Sequence, residues 1–239
     1  VCKDITMDIS RSTQFLSAML MVTPVTRSGI RIRITSEKKT GAYIEITMDM
    51  LREFGINVTF DGEQYIVDGN QKAVIGDYYI EPDVSAACYF YAMAAVTGGK
   101  ITVRNVFESS VQGDMKFLNV LAEMGCEVTE TKDGITVSRT GGLKGIDVNM
   151  NNFSDQALTL AAIAPFADGD TVIRNVGHIR GQECDRMAAI INELTKCGVA
   201  CHISGDDIFI SSGAAHGTEI ETYDDHRVAM AFTVTGLVT

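Results

Sequence analysis

Hydrophobic and polar positions recur along this chain in blocks of about seventy residues. "SEKKTGAYIEITMDMLREFGINVTFDGEQYIVDG" (36–69) places apolar residues at helical spacing, stops at a glycine, then alternates around Asp61-Gly62. The spacing predicts an amphipathic helix, the glycine its end, and the alternation a strand pair. "VQGDMKFLNVLAEMGCEVTETKDGITVS" (111–138) follows the same plan with its turn at Asp133-Gly134, and "ECDRMAAIINELTKCGVACHISGDDIFISS" (183–212) follows it again. The helix-ending glycines, Gly55, Gly125 and Gly198, are 70 and 73 residues apart.

A second kind of helix precedes each block: "STQFLSAMLMVTPV", "SAACYFYAMAAVTGG", "SDQALTLAAIAPFADG" and "DHRVAMAFTVTGLVT". Their leading residues, Ser12, Ser85, Ser154 and Asp225, lie 73, 69 and 71 apart. These helices are apolar nearly all round, which predicts burial on every side. Strands "GIRIRIT" (29–35), "KITVRNV" (100–106) and "TVIRNV" (171–176) come next. The unit is therefore βαβαββ, and the chain is an internal repeat of the α/β (α+β) class. The first repeat opens on a short strand-like lead, "DITMDIS", and the fourth stops at Thr239 inside its own apolar helix. This predicts a piece of a longer protein, truncated at both ends.

Composition narrows the function. The chain has 239 residues, enough for one large or two modest domains. A formal net charge of −11 argues against a nucleic-acid partner. No apolar run reaches the ~18 residues of a membrane span, and "VCKDITMDIS" is not a signal peptide. Six scattered cysteines, at 2, 88, 126, 184, 197 and 201, predict reduced thiols of a cytoplasmic protein and no metal site. An anionic substrate would need a local cationic site, because the overall field repels it.

The polar residues gather at helix starts. The apolar helices open with Ser12-Thr13-Gln14, Ser85, Ser154-Asp155-Gln156 and Asp225-His226-Arg227, and Ser12 and Ser154 read as N-caps. Counting back from the helix-ending glycines makes Thr40, Ser110 and Glu183 equivalent, and likewise Tyr43, Gly113 and Arg186. Arg186 and Arg227 thus both sit where a helix carries partial positive charge. Two such ends armed with guanidinium groups suit a phosphate or carboxylate, with neighbouring acids offsetting the repulsion when the site is empty.

The motifs "STQFLSAMLM", "TGAYIEIT", "NFSDQALTLA", "RGQECDRM" and "YDDHRVAMAF" resemble 5-enolpyruvylshikimate-3-phosphate synthase, over the whole of this chain but only a middle and C-terminal part of the family's length. The resemblance implies the enolpyruvyl-transferase fold: βαβαββ units, three per globular domain, in two domains joined by a hinge. Residues 1–82 would be part of the N-terminal domain (one repeat), and 83–239 part of the C-terminal one (two repeats and the start of a third), with the active site between them. It implies transfer of the enolpyruvyl group from phosphoenolpyruvate to the 5-hydroxyl of shikimate 3-phosphate, with release of phosphate and no cofactor. Ser12, Thr13, Gln14, Thr40, Tyr43, Asp155, His178 and Gln182 would bind shikimate 3-phosphate. Gln14, Arg186 and Arg227 would bind phosphoenolpyruvate. Asp155 and Glu183 would move protons, and Asp225 and His226 would support them. Gln182 stands where the family commonly has lysine, which puts affinity and any proton relay there in question. The family's N-terminal lysine, serine and arginines and its C-terminal lysine have no counterparts here, so the isolated chain is expected to be inactive. The family is usually monomeric; self-association of the shortened chain stays open. So do two other readings, a UDP-N-acetylglucosamine enolpyruvyl transferase and a non-catalytic anion-binding fragment.

Overall fold

The computed structural model describes residues 3–74, 76–213 and 215–239. The chain divides into two compact units, Val1–Ile80 with Val111–Gly113, and Glu81–Ser110 with Asp114–Thr239. Cys2 lies outside the described residues; Cys88, Cys126, Cys184, Cys197 and Cys201 are free thiols. No helix of the described residues is long and apolar enough to cross a membrane.

The first unit is one complete repeat: β1 (Lys3–Met7), α1 (Gln14–Val22), β2 (Ile30–Ile34), α2 (Ala42–Glu53), β3 (Val58–Phe60) and β4 (Gln64–Val67). Its sheet runs in the order β1-β2-β4-β3, with β1 parallel to β2 and both pairs involving β4 antiparallel. The period-two pattern sets the core face: Ile30, Ile32 and Ile34 are buried while Arg31 and Arg33 face solvent.

The second unit comprises α3 (Val84–Thr97), β5 (Lys100–Arg104), α4 (Lys116–Glu123), β6 (Glu127–Thr131), β7 (Gly134–Ser138), β8 (Leu143–Lys144), β9 (Asp147–Asn149), α5 (Ala157–Ile163), β10 (Ala167–Asp168), β11 (Thr171–Arg174), α6 (Arg186–Lys196), β12 (Cys201–Ser204), β13 (Asp207–Ile210) and α7 (His226–Thr235). The sheet β9-β11-β13-β12 reproduces the first unit's order and strand directions. Among the described residues the sheet β5-β7-β6 is the same arrangement without a leading parallel strand, and β8 pairs with β10.

The three amphipathic helices stop identically. Gly55, Gly125 and Gly198 have φ of +73°, +99° and +85°. Their amides donate to Arg52, Ala122 and Thr195, and the next residue's amide reaches back to Leu51, Leu121 and Leu194. This is the Schellman arrangement, closed each time by a buried residue, Ile56, Cys126 or Val199.

Three expectations are corrected. The apolar helices are not all buried on every side. α5 is wholly buried because it packs against α3, α6 and α7. α1 has no such company in its unit, so Phe15, Met21 and Val22 are exposed, and Met230 on α7 is partly so. The second hairpin turns at Lys132-Asp133, not Asp133-Gly134, because Thr131 pairs with Gly134 and makes that glycine the first residue of β7. Ser154 does not cap a helix: it begins a 3-10 turn and its hydroxyl bonds His178, while the side chain of Ser12 accepts only from the Gln14 amide, beside the helix-capping position of Thr13.

Gly134 has φ of +135°, and a Cβ there would lie 2.2 Å from the Val103 carbonyl oxygen. Gly62 has φ of +102° with nothing within 4 Å. Gly134→Ala should therefore destabilise by on the order of 2–4 kcal/mol, and Gly62→Ala by only about 1 kcal/mol, measured by urea denaturation followed by far-ultraviolet circular dichroism.

Candidate functional site

Three helix starts converge in the second unit. Asp185 caps α6, its carboxylate accepting from the Ala188 amide at 3.0 Å. Asp225 caps α7 by accepting from the Arg227 amide at 2.8 Å. Asp155 lies in the 3-10 turn that leads into α5. The capping preference of aspartate leaves Arg186 one residue and Arg227 two residues past their caps, in the first turns of their helices.

Arg186 is 3% exposed and Asp225 1%. Arg186 Nε donates to Asp225 Oδ2 at 2.7 Å and Nη2 to Oδ1 at 3.3 Å, a bidentate pair. Its Nη1 donates to Asp155 Oδ1 at 3.3 Å and to Gln182 Oε1. The other oxygen of Asp155 accepts from Arg227 Nη2 at 3.1 Å. One carboxylate thus bridges two guanidinium groups. Glu183 lies 3.9 Å from Arg186 Nη2 and 2.9 Å from His226 Nδ1. The arginines are tolerated at helix starts because three carboxylates offset both their charge and that of the helix ends.

Burial is the largest influence on the Asp225 carboxyl and pushes its pKa up. The bonds from Arg186, the Arg227 amide and Cys184, with the Arg186 charge, outweigh it and leave the pKa below its usual 3.8. Cys184, whose thiol donates to Asp225 Oδ2 at 3.4 Å, is pushed up to about 11 by burial and then by that carboxylate. Glu183, Asp225 and His226 offer ligand atoms within 4.8 Å of one another, but both oxygens of Asp225 are engaged by Arg186.

The structure also shows residues that the sequence reading did not single out. Asp114 is a buried carboxyl that accepts from Ser85 Oγ at 2.6 Å and Gln156 Nε2 at 2.7 Å. Burial raises its pKa, and these two bonds draw it back. The buried Tyr89 hydroxyl lies near Arg227, whose charge opposes the upward effect of burial. Their sequence signal was slight: Asp114 sits in the turn before an amphipathic helix and reads first as a cap, and Tyr89 lies within the apolar α3 and reads first as core.

His178 meets Ser154, the residue before Asp155. Its Nε2 is 2.8 Å from Ser154 Oγ, and with Lys116, Asn149, Asn151, Asn175 and Asp206 it lines a polar depression of about 680 Å³. Ser12, Thr13, Gln14, Thr40 and Tyr43 belong to the first unit, at the starts of α1 and α2. Those two starts touch: a Cβ on Gly41 would lie 3.1 Å from Thr13 Cγ2. The Ser17 hydroxyl donates to the Tyr43 carbonyl at 3.3 Å, which holds the helices in register. Gly41 offers no capping side chain, an arrangement that leaves α2's first-turn amides to other acceptors.

A family model described as EPSP synthase (3-phosphoshikimate 1-carboxyvinyltransferase) matches residues 1–239. The chain belongs to the EPSP synthase family. A 3-phosphoshikimate 1-carboxyvinyltransferase of Trichormus variabilis is 42% identical over 231 residues, covering 96% of this chain and 54% of that protein. The chloroplastic form 1 of Nicotiana tabacum is 44% identical over 237 residues, covering 94% of this chain and 46% of its own length. An EPSP synthase structure from Acinetobacter baumannii superposes with a TM-score of 0.77 at 26% identity, over 98% of this chain and 56% of that one. The chain spans about half the length of the EPSP synthase relatives it matches.

Replacing one member of the Arg186–Asp225 pair strands the other charge away from water. Asp225→Asn should lose about 3 kcal/mol near neutral pH in urea titrations. A carboxyl whose pKa is lowered by folding contributes stability above its unfolded pKa and loses it as pH falls through the folded one. The gap between wild type and Asp225→Asn should therefore narrow as the pH drops below 3.8.

Proposed function

We propose that this chain carries part of the machinery of a 3-phosphoshikimate 1-carboxyvinyltransferase, which moves the enolpyruvyl group of phosphoenolpyruvate to the 5-hydroxyl of shikimate 3-phosphate. The observation that supports this most is the single carboxylate, Asp155, held between Arg186 and Arg227 at 3.3 and 3.1 Å, in a chain of the EPSP synthase family. Two guanidinium groups around one carboxylate form a site that another anion can enter by exchange of partners.

In this reading the carboxylate and phosphate of phosphoenolpyruvate take the places of Asp155 and Gln182 on Arg186 and Arg227, with Gln14 as a further contact. Asp155, released from the guanidinium groups, accepts the proton of the 5-hydroxyl as that oxygen bonds to C2 of phosphoenolpyruvate. Glu183 delivers a proton to C3, and His226, at 2.9 Å from Glu183, orients it. The tetrahedral adduct then loses phosphate from C2 and returns a proton from the new methyl group to Glu183, which leaves the enol ether. Ser12, Thr13, Gln14, Thr40 and Tyr43 receive the phosphate of shikimate 3-phosphate. His178 faces the same phosphate, Asp155 receives the ring hydroxyls, and Gln182 bonds a hydroxyl or the phosphate. Gln182 contributes hydrogen bonds but neither charge nor an exchangeable acid. No cofactor enters the scheme, and a cytoplasmic setting goes with it. Residues 1–82 are assigned to an N-terminal globular domain and 83–239 to a C-terminal one.

Calorimetric titration should show phosphoenolpyruvate binding that Arg227→Ala weakens by roughly 10- to 100-fold, the loss of charged hydrogen bonds. Equal binding by the variant would overturn the assignment. Because this chain spans about half of its relatives, phosphate release from the two substrates should not exceed that of the Arg227→Ala control.

A further inference from the structure

Glu193 is 0% exposed on α6, two turns beyond Arg186, and the mechanism above gives it no part. Its oxygens are fully used. Oε1 accepts from the Tyr223 hydroxyl at 2.7 Å. Oε2 accepts from the Glu221 amide at 3.1 Å and from Lys196 Nζ at 2.8 Å. The Tyr223 hydroxyl in turn accepts from Asn192 Nδ2 at 3.2 Å. Two of the three donors to Glu193 therefore come from the short loop that enters α7.

That loop is strained. Tyr223 and Asp224 have φ of +55° and +51°, two consecutive non-glycine residues in the left-handed region. There an L-residue's Cβ crowds its own carbonyl, so the conformation persists only where surrounding contacts hold it. The next residue is Asp225, which must leave the loop aimed at Arg186. The same helix thus carries the guanidinium that Asp225 meets and the carboxylate that anchors the turn before Asp225.

We infer that Glu193 is a positioning residue: by holding Glu221 and Tyr223 it fixes the left-handed turn that delivers Asp225 and Arg227 to the cluster. A buried carboxylate serves here better than an apolar side chain, because it can accept from a main-chain amide and a phenol at once. The inference concerns the geometry of the cluster and stands whichever anion the arginines hold.

Cys184 supplies a readout that needs no ligand. Its thiol donates to Asp225 Oδ2, and a displaced Asp225 leaves it easier to ionise. The test uses the full chain and its Glu193→Gln and Tyr223→Phe variants, each checked for fold by circular dichroism. Iodoacetamide alkylation at fixed pH is then followed residue by residue by peptide mass spectrometry. Cys184 should react roughly three- to tenfold faster in the variants, the effect of a half to one unit in thiol pKa. The buried Cys126, whose thiol does not feel the Glu193 charge, should keep its wild-type rate. An unchanged Cys184 rate in a folded variant overturns the proposal. So does an equal rise at Cys126, which would mean general loosening. Should Glu193→Gln fail to fold, Tyr223→Phe, which keeps the Glu193 carboxylate and removes only the bonds of the Tyr223 hydroxyl to Glu193 and Asn192, gives the same discrimination.

Discussion

The contact between Arg186 and Asp225 is the constraint on which the rest of the cluster depends. Both groups are almost fully withdrawn from water, so neither can be left without the other. The bond spans two helix starts from successive repeats, and it can form only if α6 and α7 end their approach at one point. Once it has formed, the neighbours follow. Arg227, two residues past Asp225, reaches Asp155, and His226 reaches Glu183. The cationic residues at helix starts are thus a consequence of where the acids stand.

The scaffold that brings the helix starts together is a repeat used several times with unequal cover. The first unit's sheet and the sheet of β9, β11, β13 and β12 share strand order and direction, and all three amphipathic helices end in the same left-handed glycine. What differs is company. α5 is surrounded by helices and is dry throughout, whereas α1, with the same kind of sequence, shows Phe15, Met21 and Val22 to solvent. Burial of an apolar helix depends on which neighbours are present, and its own composition cannot supply them.

The chemistry proposed for the cluster rests on exchange of partners. With three carboxylates around two arginines, the site is satisfied internally, and an incoming anion must offer more than the acids it replaces. A ligand with both a carboxylate and a phosphate meets that demand through several charged hydrogen bonds at fixed spacing. Asp155 is the acid whose release matters, since each of its oxygens is held by a different arginine.

Much of this was legible in the sequence, because the signals are local. The glycines after three amphipathic helices, the alternation in "IRIRI", and the arginines and acids of "RGQECDRM" and "YDDHRVAMAF" announced the repeat, the strands and the types of residue at the site. The same local reading could not tell that Lys132-Asp133 is the turn and Gly134 a strand residue, because pairing register is set across strands. It took Ser154 for a cap, when His178, 24 positions away, claims its hydroxyl. It passed over Asp114, Tyr89 and Glu193, whose importance comes from burial. The sequence by itself determined the period, the helix ends and the chemistry at the tips, since these depend on residues within a few positions of each other. Only the tertiary structure decided which charges pair: Arg186 with Asp225 across 39 positions and Arg227 with Asp155 across 72. Coulombic partners and exclusion of water are properties of positions in space, which chain order does not record.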